Sequence, residues 1–231
     1  MGELYILQVS FLSGEAQETI YPVVLRDDRN MVLVDCGYPG FLPNIEQAMV
    51  EQGLDPAKLT AIVITHADHD HMGALAAFQR KYPHISTIAG KYDVPGITGE
   101  EVNFRLRQAR ALQRTLPPEQ QEFGKAFCSL LEQVEPAKVD LPVWEGDTLD
   151  WCGGCTVLAT PGHTPGHISL YLPEQDTLIA GDAAVLQDGQ FILANPQFAF
   201  DLPAAEDSLQ RLLHHPAKTV ICHHGGARYS H

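Results

Sequence analysis

The segment His66-Ala67-Asp68-His69-Asp70-His71 carries five side chains of metal-ligand type in six positions, directly after an apolar run at residues 59–65. In an extended or loop backbone, side chains at positions i, i+2 and i+4 point the same way. That aims His66, Asp68 and Asp70 at one centre. His71 joins them if it opens the helix that spacing predicts next, over residues 72–81. Imidazole and carboxylate donors together suit Zn, Fe or Mn. Three more strand-like segments end in residues of the same kind. Residues 156–160 lead into Pro161-Gly162-His163-Thr164-Pro165-Gly166-His167, Leu178-Ile179-Ala180-Gly181 leads into Asp182, and Val220-Ile221-Cys222 leads into His223-His224-Gly225-Gly226. A lone His in a turn, or an Asp after Gly, is usually structural. Ligand residues at four strand ends imply one shared site at one edge of the fold.

The elements that must position these residues follow from periodicity and turn chemistry. Residues 4–11, 20–26 and 31–34 are strand-like, with the turn cluster Asp27-Asp28-Arg29-Asn30 between the last two. Residues 42–52 have helical spacing that stops at Gly53. The stretch 98–134 is rich in Gln, Arg, Leu and Glu, breaks at Pro117-Pro118, and reads as an inserted helical hairpin. Strands return at 156–160, 168–172, 177–180 and 219–222, and residues 206–214 predict the last helix. Two strand-rich halves that each carry helices suggest a layered α/β sandwich with helices outside two sheets.

Bulk properties bound the function. A chain of 231 residues fits one domain, residues 1–231, with a sizeable core. Its 45% hydrophobic and 19% charged residues give a globular rather than a disordered composition. A formal net charge of -14 repels phosphate backbones and argues against nucleic acid as a partner. No apolar run reaches the roughly 18–20 residues of a membrane span, and no basic segment precedes an apolar stretch at the N-terminus. Five cysteines, an odd number, do not form an evident disulfide framework and suit a reducing compartment. The expectation is a cytoplasmic protein acting on a small molecule, without a membrane partner. Oligomeric state stays open.

In type and order, these motifs resemble those of the metallo-β-lactamase superfamily over most of the chain. The family's His-x-His-x-Asp-His motif corresponds to His66–His71. Its later His corresponds to His163, its bridging Asp to Asp182, its final His-Gly to His224-Gly225, and its early Asp-x-Gly to Asp35-Cys36-Gly37. The resemblance implies an αββα four-layer sandwich and two divalent metal ions, Zn foremost, with Fe or Mn as alternatives. It implies that His66, Asp68 and His163 hold the first metal, that Asp70, His71 and His224 hold the second, and that Asp182 bridges them. Asp35 would support the metal loop. The implied reaction is hydrolysis by a hydroxide shared between the metals, with Asp70 as the catalytic carboxylate that orients it and passes on its proton.

Asp68 departs from the family pattern, since most relatives carry His there. A further carboxylate is expected to make the first subsite harder and more negative, favouring Mn or Fe over Zn. His69 is the other candidate for that ligand, with Asp68 preferred because its spacing keeps the register. Diiron flavoproteins of the superfamily carry Glu at this position. A diiron oxidoreductase is therefore the alternative to a hydrolase of esters, thioesters or lactones. The segment from Pro161 to His167 is similar to the glyoxalase II and lactonase branches, but Val185 stands where lactonases place a Tyr. Residues 92–99 and 187–200 are expected to line the substrate. Arg105, Arg107, Arg110 and Arg114 read as a solvated helix face, with contact to an anionic substrate as the other option. Cys152-Gly153-Gly154-Cys155 reads as a hairpin turn, His167 as a residue orienting a ligand or loop, and His84 and His231 as surface residues.

Overall fold

The apolar runs become central strands because their alternate side chains face two different cores. In Met31–Val34, Met31 and Leu33 pack on the side of helices Leu42–Glu51 and Leu75–Lys81, while Val32 and Val34 face the opposite way. Ala61–Ile64 repeats the pattern, with Ile62 and Ile64 on the helix side and Ala61 and Val63 on the other. A strand buried on both faces must be apolar at every position, so it loses the alternation that marks a half-exposed strand. The computed structural model describes residues 2–229, and His231 lies outside them.

Two six-stranded sheets stack on this inner core. The first runs in the order Glu3–Ile6, Val23–Arg26, Met31–Val34, Ala61–Ile64, Ser86–Gly90, Leu141–Val143. The second runs Gly226–Tyr229, Thr219–Cys222, Thr177–Gly181, Ile168–Leu172, Cys155–Ala159, Thr148–Leu149. Val157, Leu170, Ile179 and Ile221 of the second sheet meet Val32, Val34 and Val63 of the first. The outer face of the second sheet is covered by helix Leu202–Leu213 through Leu209 and Leu212. Helices, sheet, sheet and helix give the expected αββα sandwich. Met31–Val34 and Ala61–Ile64 run parallel, as do Thr177–Gly181 and Thr219–Cys222, so each pair delivers its following loop to the same edge.

The expected insertion forms helices Phe104–Gln113 and Gln121–Leu131, separated by a short turn opening at Pro118. Several boundaries differ from the sequence expectation. The expected strand at 20–26 divides around Pro22, which has no N–H for a ladder, into Ala16–Ile20 and Val23–Arg26. The expected helix at 72–81 is two helices, His69–Met72 and Leu75–Lys81. The last helix starts earlier, at Leu202, because the Asp201 side chain accepts the Ala204 amide as an N-cap. Strands Ser86–Gly90, Leu141–Val143 and Gly226–Tyr229 gave no separate sequence signal, since tertiary pairing rather than local pattern defines them. Among the described residues, no helix is long and apolar enough to cross a membrane. All five cysteines are free and buried, and Cys152 sits in a turn with φ 52°. His84 is exposed, as expected, with Nε2 3.0 Å from the Leu59 carbonyl.

Candidate metal centre

Asp35 follows the strand Met31–Val34 in a left-handed conformation, φ 61°, which turns its side chain under the neighbouring loop. Its Oδ1 accepts the Thr65 amide at 2.8 Å, and its Oδ2 lies 2.8 Å from His71 Nδ1. The carboxylate therefore takes the Nδ1–H of His71 and leaves Nε2 as a lone pair directed into the site. Thr65 does the same for His66. Its hydroxyl reaches Asp35 Oδ2 at 2.8 Å and stands 3.1 Å from His66 Nδ1. Burial alone would raise the Asp35 carboxyl, but His71, His223 and His66 hold it below the ordinary value.

Asp68 is extended at the N-cap, and His69–Met72 forms a single helical turn after it. That geometry swings His71 back beside His66, with ring centroids 3.9 Å apart. The loop is pinned from the other side by buried Asp93. Its oxygens accept the Ala67 amide at 2.8 Å, the Gly166 amide at 2.6 Å and the Thr164 hydroxyl at 2.7 Å. One carboxylate thus ties the loop of His66–His71 to the loop of His163. His167 fixes the third segment: its Nε2 accepts the Asp182 amide at 3.0 Å, so its Nδ1–H is the group that meets Thr160 Oγ1 at 2.8 Å. The expectation that His167 orients a ligand-bearing loop is met in this way. At the fourth segment, the carbonyl of His224 accepts the Leu186 amide and the carbonyl of His223 accepts the Tyr21 amide. A Cβ on Gly225 would meet the Leu186 carbonyl oxygen at 1.9 Å, so this turn requires glycine at its φ of 94°.

These supports bring all seven sequence-expected residues to one edge. His66, Asp68 and His163 offer atoms within 4.8 Å of one another, and so do His66, His71 and Asp182. Asp182 stands between two groups. Its Oδ2 is 3.7 Å from His163 Nε2, while its Oδ1 is 3.3 Å from His71 Nε2 and 3.7 Å from His224 Nε2. Asp70 Oδ2 lies 3.0 Å from His224 Nε2 and 3.8 Å from His71 Nε2. His66 Nε2, His71 Nε2 and Asp182 Oδ1 are buried without any hydrogen-bond partner. Buried polar atoms left unpartnered are costly and rare, and these three lie close enough together that they could hold a metal ion. Burial opposes ionisation of Asp70 and Asp182, yet the surrounding histidines hold both carboxyls well below the usual carboxylate range.

Two expectations require correction. Arg105 is not on a solvated face: it is 4% exposed and turned into the site. Its Nη2 lies 2.6 Å from Asp68 Oδ2, and its Nε lies 3.0 Å from the same oxygen. Asp68 accordingly does not make the first subsite more negative, because a guanidinium cancels its charge in place. The other correction concerns the substrate lining. Residues 187–200 contribute Gln187, Ile192, Leu193 and Phe198 to the cavity above the site, but residues 92–99 line a separate, smaller cavity beside Asp93.

The sequence reading also missed His223 and Asp93. His223 is buried against His71 with ring centroids 3.9 Å apart, and its Nε2 lies 3.1 Å from the Asp70 carbonyl. Burial pushes its pKa down to about 3, so it is neutral. Nothing in the sequence around Asp93 marks it. Arg105 had a signal of two parts: an extra carboxylate in the motif calls for a buried cation, and Arg105 shares the helix face of buried Ala109 at i+4.

Against known proteins, the model of the metallo-β-lactamase superfamily matches residues 18–224. The uncharacterized protein YobT of Bacillus subtilis (strain 168) is 29% identical over 188 residues, 80% of this chain and 72% of that protein. A hydroxyacylglutathione hydrolase of Enterobacter sp. (strain 638) is 28% identical over 219 residues, covering 93% of this chain and 64% of its own length. A solved metallo-β-lactamase family protein from Thermus thermophilus superposes with a TM-score of 0.72 at 25% identity, covering 98% of this chain and 75% of its own.

Proposed function

We propose that this chain, which belongs to the metallo-β-lactamase superfamily, is a dinuclear metal-dependent hydrolase of a small-molecule ester, thioester or lactone. In this reading His66, Asp68 and His163 hold one divalent cation, Asp70, His71 and His224 hold the other, and Asp182 spans them. The observation that carries it is Asp182, whose two oxygens face the two histidine groups separately, beside buried imidazole nitrogens that have no other partner. Imidazole and carboxylate donors in this number suit Zn foremost, with Fe or Mn also accommodated. When bound, the cations lower the pKa of a water and polarise a carbonyl oxygen.

The chain's own residues do the rest. Asp70, ionised and facing the cavity, accepts a proton from an attacking water and returns it to the leaving group. The cavity of about 470 Å³ has the size of a small-molecule site. Its floor is Asp68, Asp70 and Asp182, and its walls include Val185, Ile192, Leu193, Phe127 and Phe198, which would take the apolar part of a substrate. The phenol on this wall comes from Tyr38 rather than from position 185. The relative from Enterobacter, a hydrolase of hydroxyacylglutathione by name, supports the same bond class. The oxidoreductase alternative leaned on Asp68 as an added anionic donor, and the Arg105 pairing removes that support.

The test is elemental analysis of protein purified without chelator, together with a panel of ester, thioester and lactone substrates. About two metals per chain and turnover of a panel member are expected, as is loss of that turnover in Asp70→Ala with the fold retained. Near-normal turnover in Asp70→Ala would refute the role given to Asp70, and metal-free protein that hydrolyses at the full rate would refute the whole reading.

A further inference from the structure

The Arg105 guanidinium is satisfied at every edge. Nε and Nη2 reach Asp68, Nη1 donates to Gln108 Oε1 at 2.6 Å and to the Phe198 carbonyl at 2.6 Å, and Nη2 also stands 3.1 Å from His163 Nε2. The backbone around it is equally fixed. Asn103 caps the helix by accepting the Arg105 amide at 2.8 Å, and its Nδ2 donates to the Ala67 carbonyl at 2.5 Å. The insertion helix is thereby fastened to the metal loop at the residue next to Asp68. Among the described residues, Arg105 is the one Lys or Arg that lines the central cavity.

Resting on the dinuclear reading above, we propose that Arg105 makes the two metal subsites unequal. The pair it forms with Asp68 covers the His66–Asp68–His163 subsite, so that this subsite takes a divalent cation far more weakly than the Asp70–His71–His224 subsite. Two physical effects act together. Asp68 Oδ2 already accepts two N–H bonds from the guanidinium, and His163 Nε2 has a guanidinium nitrogen at hydrogen-bond distance, so two of the three donors are engaged before a cation arrives. A fixed positive charge a few ångströms away also repels a dication directly, in a buried site where solvent screens little. Among the described residues, no Lys or Arg pairs directly with Asp70, His71 or His224. The groups facing Asp70 are His69, His71 and His224.

Charge count favours the same conclusion. Asp68, Asp70 and Asp182 bring three negative charges, and Arg105 cancels one. The net ligand charge is therefore that of a site with neutral His at position 68, yet the cancelling charge sits on one side only. Arg105 is a positioning and charge-setting residue for the metals, and it does not need to touch substrate.

Apo-protein of the full chain, titrated with Zn²⁺ against a chromogenic chelator, reads this directly. The parent should show two binding steps at least tenfold apart. Arg105→Gln should strengthen the weaker step at least tenfold and leave the tighter one within about threefold. Arg105→Lys keeps the charge and should leave the weaker step weak. Asp68→Asn should abolish the weaker step alone, and His224→Ala the tighter one. Two equal steps in the parent would overturn the proposal even if Arg105→Gln failed to fold, as would an Arg105→Gln isotherm unchanged from the parent. Absence of any Zn²⁺ binding in the parent would instead sink the dinuclear reading, and this inference with it.

Discussion

Replacing Asp35 by Asn isolates a single proton's placement. Asn is among the residues that tolerate a left-handed backbone, so φ 61° at this position is not the variable. What changes is the acceptor set. Asp35 now serves three donors at 2.8 Å, the Thr65 amide on Oδ1 and both the Thr65 hydroxyl and His71 Nδ1 on Oδ2. An amide has one oxygen. Whichever way it turns, its NH₂ faces a donor and at least one buried donor is left unpaired, at a cost of about 1–3 kcal/mol. If the NH₂ faces His71, the imidazole moves its proton to Nε2 and loses the lone pair directed at the cavity. Loss of such a supporting partner typically lowers metal affinity about 10–100-fold, which is about 1.4–2.8 kcal/mol. Urea unfolding of the apo forms measures the first effect, and competition for Zn²⁺ with a chromogenic chelator measures the second. The two should separate: apo stability falls in either amide orientation, and affinity falls only if His71 loses its acceptor. Asp35→Asn protein with parental apo stability would refute the accounting of donors, and parental Zn²⁺ affinity would show that His71 Nδ1 keeps an acceptor in the variant.

Other outcomes follow from the same structure. Asp27 accepts the amides of Arg29, Asn30 and Cys152 at 2.8 Å each, and these bonds overcome its partial burial to bring its carboxyl down to about 2. A depressed carboxyl stabilises the fold above its unfolded value of 3.8 and loses that contribution as pH falls toward 2. Asp27→Ala should therefore cost about 1–2 kcal/mol near neutrality after allowance for solvent screening, and urea midpoints of the two proteins should converge in acid. In Gly181→Ala, the new Cβ meets His167 Nε2 at 2.8 Å and Thr65 at 3.0 Å, at a φ of 55°. Left-handed strain of about 1–2 kcal/mol adds to overpacking of about 1–3 kcal/mol, so a thermal midpoint equal to the parent's would contradict the packing described. The five cysteines are free and buried, with burial pushing Cys155 and Cys222 up to about 12, so a thiol reagent should label five groups in denaturant and almost none in the native protein.

Which residues would meet was legible from the chain because the information is local. His66, Asp68, Asp70, His71, His163, Asp182 and His224 each sit just after an apolar run, and a buried strand ending at a sheet edge has only one place to deliver its next residues. The sandwich was legible for the same reason: runs such as Met31–Val34 and Ala61–Ile64, apolar at every position, need cover on both faces. Tertiary structure decided what surrounds those ligands. Asp93 lies 26 residues from Ala67 and 73 from Gly166, yet it joins both loops through one carboxylate. Arg105 is one of four arginines on the insertion, and tertiary contacts, with Asn103 docked onto Ala67 and Arg105 itself held by the Phe198 carbonyl, turn it into the site. A hydrogen-bond partner or a countercharge is chosen by direction and distance in space, to which sequence separation is blind. The spacing of the motif therefore announces a metal site, while the charge at Asp68 is settled by a helix folded over it from 37 residues away.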